Sequence, residues 1–215
     1  MTKYLITDVD GVVFDRMPLY TRNFSDLVAV FGISTEAAQR YYLHTSGAPI
    51  TQQFEEVLKK HKISFSTQQL QTLVHDFFHL ANGAEAPLFP GVRETFCKIQ
   101  KAGCLIFATS GSRTPDLEVL FRGYEIPCDL IIGSDEIPKG DQHIQRFAEF
   151  VDIPLPEFCR AAAYIGDGPH DMVIATRNKI LAIGISNTVD HTHLRASGAD
   201  VVIANIENLL ELLEI

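Results

Sequence analysis

Six short apolar runs, KYLITDV (3–9), CLIFATS (104–110), DLIIGS (129–134), AAAYIGD (161–167), LAIGIS (181–186) and DVVIAN (200–205), constrain the fold of this chain more than any other feature. They read as buried strands. From the second run onward they alternate with helix-like segments, GVRETFCKIQKAG, TPDLEVLFRGY, GDQHIQRFAEF, PHDMVIATRNK and IENLLELLEI. Strand and helix in alternation make a parallel sheet with helices on both faces. The expected fold is α/β, a doubly wound, mostly parallel sheet.

Between the first two runs the strand signal stops, and helical patterns such as LYTRNFSDLVAVFG, EEVLKKH and TQQLQTLVHDFFHLA take over. That stretch is too long for an ordinary connection. It reads as an inserted helical cap over residues 15–86, and residues 1–14 and 87–215 form the core, which restarts near Pro90 and Gly91.

Of 215 residues, 46% are hydrophobic and 21% charged, which suits a compact domain rather than a disordered or fibrous one. The formal net charge of −9 and the lack of a long Lys/Arg block argue against nucleic acid or an anionic membrane as partner. A small phosphorylated substrate is compatible with this charge if cations gather locally. Cys97, Cys104, Cys128 and Cys159 form no CxxC pair, so reduced thiols in a cytoplasm are expected. No apolar run approaches the ~20 residues of a membrane span, and the first residues lack the apolar stretch of a signal peptide. No feature of the sequence specifies an oligomeric state.

Ligands of open parallel sheets bind beyond the carboxyl ends of the strands. Collecting those ends gives Asp8 and Asp10 after the first strand, Thr109 and Ser110 after the second, Lys139 after the third, and Asp167 with Asp171 after the fourth. Carboxylates ~4 Å apart repel by about 4 kcal/mol per pair at an effective dielectric near 20, so they stay ionised together only if cations share the site. Lys139 supplies one charge. An all-oxygen donor set suits Mg²⁺ better than zinc. Mg²⁺ beside a carboxylate nucleophile is a solution for phosphoryl transfer, and Asp8 and Asp10, two apart on a strand, can work as a pair.

These residues resemble the haloacid dehalogenase-like hydrolases, whose four motifs appear as Asp8-Val-Asp10-Gly11-Val12, Phe107-Ala-Thr109-Ser110, Lys139, and Gly166-Asp167-Gly-Pro-His-Asp171. The helical insertion is similar to the cap of the phosphoglycolate phosphatase-like and β-phosphoglucomutase-like branch. The resemblance implies that Asp8 attacks phosphorus to give an aspartyl phosphate while Asp10 serves as acid and base. It also implies Mg²⁺ held by Asp8, the Asp10 backbone carbonyl and Asp167, with Asp171 ordering that shell or Lys139. Thr109, Ser110 and Gly111 would hold phosphate oxygens, and Lys139 would neutralise the nucleophile.

Within the branch, the acid/base Asp10 speaks for phosphoryl transfer rather than dehalogenation. Mutase-like members carry a His where this chain has Tyr20, so a phosphatase is expected, with a phosphosugar mutase or a non-catalytic binding module as alternatives. Arg16 replaces the usual small residue after Asp15, and Gly140-Asp141 replaces a Pro-rich stretch after Lys139. Ser46 and Gly47 are either a specificity loop of the cap or a plain helix-helix turn. Arg113 is either a ligand for a substrate anion or an ordinary surface arginine. His75 and His79 read as structural helix residues, the run Lys59-Lys-His-Lys62 as a solvated face, and His191-Thr-His193 as the opening of a surface helix. His170 reads as a loop residue close to the metal.

Overall fold

The computed structural model describes residues 2–81 and 85–215, so residues 82–84 of the expected cap lie outside the described residues. All six apolar runs form strands: β1 (Tyr4–Asp8), β2 (Leu105–Thr109), β3 (Leu130–Ile132), β4 (Ala162–Gly166), β5 (Leu181–Ile185) and β6 (Val201–Ile203). They make one sheet in the order β3-β2-β1-β4-β5-β6, parallel at every pairing. The chain first winds outward through β2 and β3, then returns to the other side of β1 with β4. That reversal opens a crevice above the ends of β1 and β4, where doubly wound sheets bind ligands.

Alternation along each strand divides the core. Leu5, Ile106, Ala108, Ile165 and Ile183 point to one face. There they meet α5 (Val92–Lys101), α6 (Thr114–Gly123) and α11 (Asn208–Leu212) through Phe96, Leu117 and Leu209. Ile6, Phe107, Tyr164 and Ala182 point to the other. They meet α7 (Asp141–Phe150), α8 (Leu155–Ala161), α9 (Pro169–Arg177) and α10 (His191–Ala196) through Phe147, Phe158, Met172 and Leu194. Each such side chain, once buried, contributes about 1.5–3 kcal/mol. The same two-residue period places Asp8 on the face of Ile6 and Thr109 on the face of Phe107, so both lean toward α7 and α9.

Residues between the first two strands form α1 (Met17–Ala29), α2 (Thr35–His44), α3 (Ile50–Lys60) and α4 (Thr67–Ala81). The sequence reading names no helix over Thr35–His44; Ser34 caps it by accepting from the Ala37 N–H at 3.3 Å. These helices gather an apolar core of their own, in which Phe24 stacks on Phe54 with ring centroids 4.8 Å apart and Phe77 meets Tyr20 at 5.3 Å. The chain leaves and re-enters the sheet side by side: the Asp15 N–H donates to the Pro87 carbonyl at 2.8 Å, and Phe14 bridges Leu88. None of the described helices is long and apolar enough to cross a membrane.

Phe54 is fully buried at the centre of the helical insertion. Its replacement by alanine removes a ring that no neighbour can replace, and urea unfolding of Phe54→Ala is expected to show a loss of about 3–5 kcal/mol. A loss below ~1 kcal/mol would contradict the packing described.

Candidate active site

The crevice is built from strand ends. Asp8 closes β1, and the turn after it runs through Gly11, whose φ of +85° suits glycine. A Cβ there would lie 2.0 Å from Asp167 Oδ2, so the glycine also lets the loops after β1 and β4 touch. Asp167 follows β4 directly, and Asp171 sits in the first turn of α9, where it accepts the Gly168 N–H at 3.2 Å. An acidic side chain at a helix N-terminus is stabilised by the orphan donors there.

Lys139 joins these acids. Its ammonium donates to Asp8 Oδ1 at 2.8 Å and to Asp171 Oδ1 at 2.7 Å, with only 3% of the side chain exposed. Burial would pull the lysine down, yet Asp171 and Asp8 outweigh it and hold the ammonium well above the usual range. Asp8 also accepts the Val9 N–H on the same oxygen at 2.7 Å. Both donors take Oδ1, which fixes the carboxylate and turns Oδ2 outward. Burial pushes Asp8 up, Lys139 opposes it, and Asp171 and Asp167 add to the rise.

Asp167 is fully buried and neither of its oxygens has a hydrogen-bond partner among the described residues. Burial, then Asp171, pushes its carboxyl up to about 7. Oxygens of Asp8, Asp167 and Asp171 lie within 4.8 Å of one another. An orphaned buried carboxylate in an all-oxygen cluster fits a hard divalent cation such as Mg²⁺.

The carboxylate of Asp10 turns to the other side. Arg16 Nε donates to its Oδ1 at 2.6 Å, and the hydroxyls of Ser112 and Ser110 lie 3.2 and 3.4 Å from its Oδ2. Arg16 stands at the start of α1, where its donor-only side chain offers no cap to the helix N–H groups and turns to Asp10 instead. Tyr20 reaches Ser112 Oγ at 3.3 Å, and burial pushes its phenol up.

The structure therefore brings Asp8, Asp10, Ser110, Gly111 and Lys139 to one cavity of about 60 Å³, which the helical insertion closes with Met17, Tyr42, Phe77 and Phe78. Ser46 and Gly47 also line it; the Ser46 carbonyl stands where a Cβ on Gly168 would come within 2.5 Å. The loop Thr45–Pro49 thus sits on the crevice as well as joining two helices. Thr109 lies beside Asp8 in register, but its side chain is bound to His143 and does not line the cavity. Arg113 stands apart, before α6, on a neighbouring cavity that Arg16, His75 and His79 also line. His75 pairs with Asp76 at 3.0 Å and stacks on His79. Among the described residues the acidic trio is the one group of three or more such side chains placed so that it could hold a metal ion, and neither histidine belongs to it. The His193 ring meets His44 of the insertion edge to face, with centroids 4.8 Å apart.

Sequence reasoning missed Ser112, His143 and Tyr164 as parts of the site, and noted Arg16 only as a departure. Tyr164 donates to Asp171 Oδ1 at 3.1 Å from the buried face of β4. Position 164 is two residues before the strand end and shares its face, a signal that was legible. Position 143 faces Thr109 only because α7 packs on that side.

A family model described as haloacid dehalogenase-like hydrolase matches residues 5–185. No curated protein matches the sequence. Among solved structures, a hydrolase from Pseudomonas syringae superposes with a TM-score of 0.85 at 17% identity, covering 99% of this chain and 98% of its own. A protein described as a predicted phosphatase from Clostridium acetobutylicum gives 0.83 at 18% identity with both chains fully covered. One described as a predicted phosphoglycolate phosphatase from Haemophilus somnus gives 0.77 at 12%, covering 99% of this chain and 98% of its own. With the match to the family model spanning most of the sheet and the whole insertion, the chain belongs to the haloacid dehalogenase-like hydrolases.

Proposed function

We propose that this chain is a Mg²⁺-dependent phosphatase of a small phosphorylated metabolite, working through an aspartyl phosphate on Asp8. The observation that carries this reading is the Asp8 carboxylate, pinned through Oδ1 by Lys139 and the Val9 N–H beside the orphaned Asp167. A carboxylate held on one oxygen presents the other to an electrophile without reorganising.

Asp8 and Asp167, the Asp10 backbone carbonyl, and Asp171 from behind would hold the cation. Bound Mg²⁺ would offset the repulsion between the anionic attacker and the anionic substrate. In the first half-reaction Asp8 Oδ2 bonds to phosphorus, the bond from phosphorus to the ester oxygen breaks, and Asp10 gives that oxygen a proton. In the second, ionised Asp10 takes a proton from water, the resulting oxygen bonds to phosphorus, and the bond to Asp8 breaks to release phosphate. Lys139 would neutralise Asp8 throughout, and the Gly111 N–H on the cavity lining would hold a phosphoryl oxygen, whereas the Ser110 N–H is taken by the Ile132 carbonyl at 3.2 Å.

Arg16 favours hydrolysis. Its guanidinium and two serine hydroxyls all donate to Asp10. The carboxylate left after protonation of the leaving group is thereby stabilised and ready to activate water. A mutase would need the second half-reaction to pass the phosphoryl group back to a sugar, and this chain has buried Tyr20, bound to Ser112, where mutase-like relatives carry histidine. The cavity of about 60 Å³, room for about five waters, fits a small leaving group, and larger ones would require the cap to swing about the crossing at Phe14–Asp15 and Pro87–Leu88. The four cysteines are free, in keeping with a cytoplasmic setting.

Hydrolysis of p-nitrophenyl phosphate is expected with Mg²⁺, to disappear with EDTA, and to vanish in Asp8→Asn; turnover by Asp8→Asn equal to the parent would rule out the aspartyl phosphate. Asp10→Asn should lower kcat by about 10²–10⁴-fold, the ordinary worth of general acid-base catalysis. Arg16→Ala should lose about tenfold or more with Arg16→Lys recovering part of it, since each 1.4 kcal/mol of lost charge stabilisation is about a factor of ten. Steady-state rates of the three variants check this, and an Arg16→Ala enzyme as fast as the parent would remove Arg16 from the mechanism.

A further inference from the structure

His143 on α7 is fully buried, and its two ring nitrogens have different partners. Nε2 lies 3.1 Å from the Ile137 carbonyl, which can only accept, so Nε2 carries a proton. Nδ1 lies 2.7 Å from Thr109 Oγ1. In a neutral ring Nδ1 then has only a lone pair, and the Thr109 hydroxyl must donate to it. Thr109 ends β2 in register with Asp8, and its hydroxyl proton is held by His143 rather than offered to the crevice, whose lining Thr109 does not join.

We propose that His143 is a positioning residue that sets the direction of the Thr109 hydroxyl proton, and that an oxyanion in the crevice turns the proton toward itself as His143 takes up a proton from solvent. The inference rests on the phosphatase reading of the crevice. When Thr109 donates to the anion, Nδ1 would otherwise be left buried without a donor, a costly state. A protonated Nδ1 instead donates to Thr109 Oγ1, satisfies both groups and adds a positive charge near the anion. The proton comes from solvent and no other bond changes.

The charged groups bearing on His143 are few. Burial lowers its basicity, the bond to the Ile137 carbonyl opposes this, Lys139 lowers it further and Asp135 raises it, with a net fall. Asp141 at the start of its own helix is paired with Arg177 of α9 at 3.3 Å, and Asp8 on the neighbouring strand is paired with Lys139. The ring is therefore neutral at rest near neutral pH, and the proton must arrive with the anion. Binding then strengthens as pH falls, because the bound state holds one more proton than the free state.

The test uses sulfate, a tetrahedral dianion whose charge does not change over the range from about pH 5.5 to about pH 8. In ¹⁵N spectra of the full chain with Mg²⁺ present, His143 should show a protonated Nε2 and a bare Nδ1 without sulfate, and both nitrogens protonated at saturation. Sulfate affinity should fall by up to about tenfold per pH unit in the wild type, and more steeply than in His143→Asn or Thr109→Val. An Nδ1 that stays bare at saturating sulfate, equal pH slopes in wild type and variants, or no sulfate binding at any pH would overturn the proposal. The spectra need no turnover, so a chain that hydrolyses no ester would refute the phosphatase reading, whereas an unchanged Nδ1 in a chain that does would refute this inference alone.

Discussion

Three buried carboxylates around a single ammonium set the terms for the rest of this structure. Asp8 and Asp171 share Lys139, and Asp167 is left with its oxygens unpartnered among the described residues, within reach of both. One positive charge does not balance three negative ones, and in a site shielded from water the excess is expensive. The protein tolerates the imbalance by raising the carboxyls of Asp8 and Asp167, the latter to about 7, a state that invites a cation. Stability is given up locally so that binding and chemistry can use the difference, as is common at functional sites.

The fold makes that concentration of charge possible. A parallel sheet delivers several strand ends to one edge, and its reversal between β1 and β4 leaves a gap over them. Gly11 closes the gap tightly enough for Asp167 to approach the turn after β1. Above, the helical insertion brings Tyr20, Ser46 and Gly47 down onto the crevice, so that one wall of the cavity comes from the strand ends and the other from the insertion. Asp10 lines the same cavity, tied to Arg16 at the foot of α1, which couples it to the base of the insertion.

Much of this was legible in the sequence. The apolar runs gave every strand because a strand buried on both faces needs an unbroken apolar stretch, and the residues ending those runs gave the acidic trio and its lysine. Asp8 and Asp171 are more than 150 residues apart, yet the ends of β1 and β4, with the first turn of the helix after β4, bring them together with Asp167. What escaped depends on packing between elements. Helix α2 carries a polar and aromatic pattern without a long apolar face, so its period is faint. The direction of Thr109 depends on which helix covers that face of β2, which residue 143 reveals only after α7 is docked. Arg16 was visible as a departure, but its partner could not be read until the turn at Gly11 brought Asp10 back toward it.

The central claim, that the acidic cluster is built around a missing positive charge, is tested most directly by thermal unfolding of the wild type and Asp167→Asn with EDTA and with Mg²⁺. Asp167 holds its proton to about pH 7 when folded and loses it near pH 4 when unfolded, so without metal its contribution to stability falls as pH rises between those values. The account predicts that Asp167→Asn melts above the wild type in EDTA at about pH 8, that this advantage shrinks toward acid pH, and that Mg²⁺ raises the wild type far more than the variant. Equal Mg²⁺ shifts in both proteins, or a variant that melts below the wild type in EDTA, would contradict it.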